Sequence, residues 1–180
     1  MIARLAVLLL LAGPAFGQSR PSPTLETMLG ALHAAPSEEA AALLESQIRT
    51  QWLEAASPAV RLLLSRGLRE LNEGSAGEAV DSFDAALDLE PDLLEAWRGR
   101  AQARSRLGDS SGAVRDIQEA LRREPRNFAA LQDLSRMAEG ATDWRGALAA
   151  HEQLLKVAPR TPGGQARLRD LRRRALGDDT

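Results

Sequence analysis

No cysteine and no tyrosine occur among the 180 residues, and there are two histidines. Without cysteine there can be no disulfide, no thiolate nucleophile and no cysteine-held metal. His33 and His151 stand far apart, and neither has another metal-type ligand at helical spacing. A lone histidine in an apolar helix is read as a packed side chain rather than a base. The glycine-flanked serine of hydrolases, the H-E-x-x-H zinc pattern and a phosphate-cradling loop are missing too. Thr161-Pro162-Gly163-Gly164 lacks the lysine such a loop needs. The paired acids Glu38-Glu39 and Asp178-Asp179 fall at a helix start and at the chain end, solvated places that do not tune a carboxyl for catalysis. No enzyme, no cofactor and no metal site is expected. Aromatics make up 3% of the chain, so the core must be built from Ala, Leu and Val. A net charge of −2 offers no field for nucleic acid. Lys156 is the only lysine among 23 basic residues, an arginine bias that suggests a GC-rich bacterial genome.

The chain begins with a segment of its own kind. Arg4 supplies a positive start, Leu5 to Ala12 an apolar run, and Ala15-Phe16-Gly17 a small-x-small cleavage site. This reads as a secretory signal over residues 1–17, cut before Gln18. A membrane span needs about 20 apolar residues, and Gly13-Pro14 interrupts the run too early. Residues 18–23 are a polar linker with two prolines.

From Ser57 to Arg160 the chain repeats itself. Pro91, Pro125 and Pro159 recur every 34 residues, and Ala79, Ala113 and Ala147 keep the same step, as do Leu87, Leu121 and Leu155. Such a period marks a stack of helix pairs, each burying its apolar face on the next. Second helices are expected to begin in register at Ser75, Asp109 and Asp143. Ser75 and Glu78 are spaced as a capping box, and Gly74 and Gly108 are placed as left-handed stops before them. The buried faces read Ala79, Val80, Phe83, Ala86, Leu87, then Ala113, Val114, Ile117, Ala120, Leu121, then Ala147, Leu148, His151, Leu154, Leu155. Small residues on these faces let paired helices approach closely.

These residues resemble the tetratricopeptide-repeat family. Gly67, Ala79, Phe83, Ala86 and Pro91 fill the family's slots in the first copy, and Trp97, Ala101, Gly108, Ala113, Ile117, Ala120 and Pro125 in the second. The third, from Phe128, matches at Leu131, Leu134, Ser135, Ala147 and Pro159, but His151 replaces the aromatic. The family's tyrosine slot holds Glu70, Arg104 and Ala138. The resemblance implies an all-α, right-handed helical-repeat solenoid over residues 57–160 with a general binding role. It is similar to the small exported repeat proteins of Gram-negative bacteria, which makes a periplasmic adaptor the expectation.

Residues 24–56 are read as an N-terminal capping helix pair. Leu25, Met28, Leu29 and Leu32 form one stripe, and Leu44, Ile48 and Trp52 another, with Ser37 as N-cap between them. Residues 161–180 hold a C-terminal capping helix with an arginine-rich outer face, whose alternative role is contact with anionic lipid. In the family the first helix of each repeat lines the concave face, which makes Arg61, Leu64, Leu68 and Asn72, then Glu95, Arg98, Gln102 and Arg106, then Gln132 and Arg136 the candidate groove. Leu64 and Leu68 are expected as an apolar strip beside arginine and glutamine donors, a face suited to a protein or peptide segment carrying a hydrophobic side chain and a carboxylate. A monomer is expected; a self-associating unit whose groove is filled by another copy is the alternative.

Overall fold

The computed structural model describes residues 24–177. Residues 1–17, read above as a secretory signal, and the linker 18–23 lie outside the described residues. Nine helices and no strand are found in the described chain: α1 (Leu25–His33), α2 (Glu38–Glu54), α3 (Pro58–Glu73), α4 (Ala76–Leu89), α5 (Leu94–Arg106), α6 (Ser110–Arg123), α7 (Phe128–Gly140), α8 (Trp144–Val157) and α9 (Gly164–Leu176). The helices α3–α8 form three pairs in a right-handed solenoid, with α3, α5 and α7 side by side on the inner face and each pair packed on the next. None of the described helices is long and apolar enough to cross a membrane.

The 34-residue step is visible in the backbone. Gly74 (φ 86°) and Gly108 (φ 83°) stop α3 and α5 in the left-handed region, and Thr142 (φ 61°) takes the same turn in the third repeat. Asp109 and Asp143 cap the helices that follow, accepting from Gly112 N at 2.8 Å and Gly146 N at 2.9 Å. The expected capping box at Ser75 does not form: the serine side chain makes no cap bond although its backbone matches that of Asp109. A serine hydroxyl is one bond shorter than a carboxylate, and at this geometry it does not reach.

Packing within the solenoid depends on small residues meeting large ones. Ala79, Ala86, Ala113, Ala120 and Ala147 are fully buried. The Phe83 ring lies so close to Gly99 that a Cβ there would sit 2.4 Å from the ring, which is why α5 carries glycine at this contact. His151, in the corresponding slot of the third repeat, is buried as expected, and its Nε2 donates to the Gly164 carbonyl at 2.8 Å. α9 packs on α8 where the first helix of a fourth repeat would lie, burying Leu171 against Ala147 and Leu148.

The tyrosine slots are filled by paired polar groups. Glu70 accepts from Ser82 Oγ at 2.6 Å, and Arg104 donates to Asp116 at 2.9 Å. Residues 82 and 116 are themselves one period apart, and the third repeat completes the set with Ala138 and Ala150. Each repeat thus matches both partners of the contact.

The N-terminal pair packs mainly on the third repeat, and Leu53 at the end of α2 joins the core of the first. Met28, Leu29, Leu32, Ala41, Ile48 and Trp52 form one core with Phe128, Ala129, Leu131, Leu154 and Ala158 of the third repeat. The stripes are those expected from the sequence, but their neighbours are 76 residues or more away. The hairpin has folded back across the inner face, where its apolar stripes leave water against Phe128, Leu131 and Leu154, while Leu62 on the outer side of α3 stays exposed.

Candidate functional site

The inner face of the solenoid has two halves, and α2 decides which is open. α2 crosses the N-terminal ends of α7 and α5. Trp52 packs on Phe128 with ring centroids 5.2 Å apart, the Arg49 guanidinium lies 5.0 Å from the same ring, and Arg49 Nη2 donates to Gln132 Oε1 at 3.4 Å. At its other end Glu45 accepts from Thr161 Oγ1 at 2.5 Å and Glu38 from Gly163 N at 3.1 Å. The neighbouring α1 is held by Arg126, which donates to both Glu26 oxygens at 2.8 and 2.9 Å, and by His33 Nδ1, which donates to the Lys156 carbonyl at 3.0 Å.

Four of the ten sequence-named residues therefore lie in or beside the covered half. Leu64 is not surface at all: it is 2% exposed, on the stripe Val60, Leu64, Gly67, Leu71 that packs against α4. Its expected strip with Leu68 is broken, since Leu68 is 41% exposed and Leu64 sits beneath it near Leu53. Glu95 and Arg98 are also withdrawn from solvent. Arg98 Nη1 donates to Glu95 Oε2 at 2.5 Å and its Nε to Asp133 Oδ2 at 3.0 Å. Burial pushes the Glu95 carboxyl above the usual carboxylate range despite the neighbouring Arg98. Gln132 is spoken for by Arg49 and Thr161. Arg61 and Asn72 are exposed on α3, with Arg61 donating to the Glu54 carbonyl.

The remaining three, Gln102, Arg106 and Arg136, come together in the open half. They line a hollow of about 510 Å³ between the C-terminal ends of α5 and α7, with Asp133 on its wall and Met137 beside it. Gln102 donates to Asp133 at 3.2 Å, Arg106 bonds the Leu71 carbonyl, and Arg136 bonds Asp133 while its side chain stays 63% exposed. Arg136 also borders a second hollow of about 180 Å³ between α7, α8 and α9, where it meets Arg167, Thr161 and the buried His151. Burial pushes the His151 imidazole below its ordinary value.

Asp133 was missed by sequence reasoning, although it orders three of the named donors. Its three-residue spacing from Arg136 is the one local signal that could have found it. Trp52, Phe128 and Arg49 carried no local signal, because they meet only through the fold. Among the described residues no group of three or more His, Asp or Glu side chains is arranged to hold a metal ion. The arrangement offers instead guanidinium forks at the rim of a groove, chemistry suited to holding carboxylates.

No family model matches the chain. A TPR repeat-containing protein of Rhizobium etli is 26% identical over 162 residues, spanning 90% of this chain and 79% of that protein. The solved Sgt2 TPR domain of Aspergillus fumigatus superposes with a TM-score of 0.60 at 23% identity, covering 66% of this chain and 80% of that one. MamA protein matches with a TM-score of 0.60 at 15% identity over 86% of this chain and 82% of its own. The first TPR of Spaghetti (RPAP3), solved bound to HSP90 peptide SRMEEVD, matches with a TM-score of 0.59 at 21% identity over 64% of this chain and 94% of that one. With its three in-register helix pairs and these likenesses, the chain has the tetratricopeptide-repeat fold and is similar in sequence to a TPR repeat-containing protein.

Proposed function

We propose that this protein is an exported adaptor whose inner face holds a segment of a partner protein, with the open half of the groove as the site. The observation that carries the reading is the hollow of about 510 Å³ in which Gln102, Arg106 and Arg136 converge while α2 covers the rest. Two guanidinium groups at one rim fit a carboxylate-bearing segment, since each can offer a forked pair of donors. Met137 supplies a flexible apolar contact beside them. The bound peptide of the Spaghetti (RPAP3) structure, itself carrying acidic residues, supports a peptide ligand for a groove of this fold. The arginines of α9 are a poorer candidate surface, because Arg172, Arg173 and Arg174 are paired with Glu152 and Asp170.

The test is in-cell crosslinking from a photoreactive residue placed at Met137. A partner that crosslinks to the parent should be lost in Arg106→Glu with Arg136→Glu, the melt staying cooperative at a temperature lowered by the loss of the Arg136 bond to Asp133, and retained when Arg172 and Arg173 are reversed. Should the α9 reversal abolish crosslinking and the groove reversal spare it, the working surface is α9. Arg98, named from sequence, is unsuitable for this test because its reversal would place a carboxylate between Glu95 and Asp133.

Export rests on residues 1–17. Cell fractionation should recover a mature chain beginning at Gln18 outside the cytoplasm and released without detergent. Intact Met1 in the membrane pellet would make the segment an anchor.

A further inference from the structure

The covered half of the groove is as informative as the open half. α2 is laid there as a helix in a groove, with Ala41, Ile48 and Trp52 on one face against Phe128 and its neighbours. Only Ala55, Ala56 and Ser57 join it to α3, and besides the apolar seam it is held to the third repeat and the segment after it by hydrogen bonds between residues 83 to 125 positions apart. The seam is also imperfect. Five buried side-chain atoms among the described residues have no hydrogen-bond partner, and three of them, Gln51 Oε1, Trp52 Nε1 and Glu95 Oε1, belong to α2 or to the helix it crosses. Unpartnered buried polar atoms are rare in folded proteins and costly. The other two are Asn127 Nδ2 and His151 Nδ1, and elsewhere buried polar groups are paired, as Glu70 with Ser82 and Asp116 with Arg100 and Arg104. Three of the five unpartnered atoms are thus gathered where the hairpin sits.

We propose that the seat of α2 is a second binding site, taken by an amphipathic helix of the partner that replaces the hairpin on the inner face. The partner helix carries an aromatic side chain at the station of Trp52, against Phe128, and a lysine or arginine that bonds Glu95 Oε1, which Arg49 of α2, turned to Glu45 and Gln132, does not bond. Such a helix gains where α2 is deficient, which allows an intermolecular ligand to compete with one that is covalently attached. The proposal rests on reading the inner face as the binding surface, but it concerns the half opposite Arg106 and Arg136.

The experiment uses the full mature chain and a labelled synthetic peptide of residues 37–56 as probe. In the parent the tethered α2 holds the seat, so the peptide binds weakly. Loosening the hairpin by Glu26→Ala with Glu38→Ala, which removes the bonds to Arg126 and Gly163 without touching the core, should tighten peptide binding by about ten-fold or more, as expected when the competent state becomes more populated. Trp52→Ala in the chain should act in the same direction. At saturating peptide, amide exchange should rise across α1 and α2 while α3–α8 stay protected. Reversal of Arg106 and Arg136 should leave this binding unchanged, so its effect on partner crosslinking tests the open half separately. Equal peptide affinity in parent and loosened chains, or protection of α1 and α2 that persists at saturation, overturns the proposal. A dimer of the loosened chain by light scattering, with no peptide uptake, overturns it as well and makes a second copy the occupant.

Discussion

Ala113→Arg is expected to unfold the solenoid or leave it grossly loosened, at a cost of at least about 3 kcal/mol. Ala113 is fully buried in a cluster with Ala101, Ile117, Ala120 and Ala130, where α6 meets α5 and α7. The arginine would bring a volume the cluster cannot admit and a charge with no acid facing it from that cluster. Because each repeat buries its face on its neighbour, a failure at the middle repeat separates the first from the third. Arg115 is exposed two residues away, and Arg115→Ala should change stability by no more than about 0.5 kcal/mol. Thermal melts decide the matter: superimposable curves for Ala113→Arg and the parent would show that this face of α6 is not the packed one.

Asp116→Ala should cost about 2–3 kcal/mol, less than the 3–5 typical of a fully buried pair because its partners keep some contact with water. Asp116 is 2% exposed and accepts from Arg100 Nε at 3.0 Å and Nη2 at 2.8 Å, and from Arg104 Nη1 at 2.9 Å. The side chains of Arg100 and Arg104 are 13% and 26% exposed. Removing the carboxylate leaves two guanidinium groups crowded together, with Asp84 still paired to one. The third repeat shows the apolar solution to the same contact, with Leu134, Ala138 and Ala150 at the equivalent positions. The triple change Arg100→Leu, Arg104→Ala and Asp116→Ala should therefore recover most of what the single change loses, since apolar replacement of a whole buried ion cluster is often near neutral. Urea titrations of the single and triple variants measure this. A triple variant less stable than the single one would mean that the cluster contributes net stability rather than filling a slot.

The repeat was fully legible in the residues. Proline, alanine and leucine at a step of 34 fixed the helix pairs to within a residue or two, and Gly74 and Gly108 were readable as left-handed stops because the position excludes most side chains. The buried alanines followed from the same register. Capping was legible only where the side chain could reach, at Asp109 and Asp143 but not at Ser75. The polar fillings at Glu70 and Arg104 were visible as departures from a family pattern, yet their partners Ser82 and Asp116 were not, because a period aligns equivalent residues and does not say which of them touch.

The candidate site was half legible for a related reason. Arg106, Gln102 and Arg136 were found by helical spacing and do line one hollow. Leu64 was misplaced because the spacing that puts it beside Leu68 also puts it on the stripe of Val60 and Leu71, and only packing chooses between them. Arg98 was named as a free donor, but Asp133 and Glu95 take it up, and neither pairing has a local signature strong enough to rank above solvent.

By itself the sequence determined the helices, their pairing and their order, because hydrophobic periodicity and turn chemistry act over a few residues and repeat without ambiguity. It also determined that α1 and α2 each bury one face. Only the tertiary structure decided what those faces meet. An amphipathic stripe specifies that apolar area must leave water, and the free energy of doing so is non-directional, so any sufficient apolar surface can serve. The choice fell on the third repeat and so covered half of the groove, through contacts such as Glu26 with Arg126 and Glu38 with Gly163 that span 100 and 125 residues and leave no periodic trace.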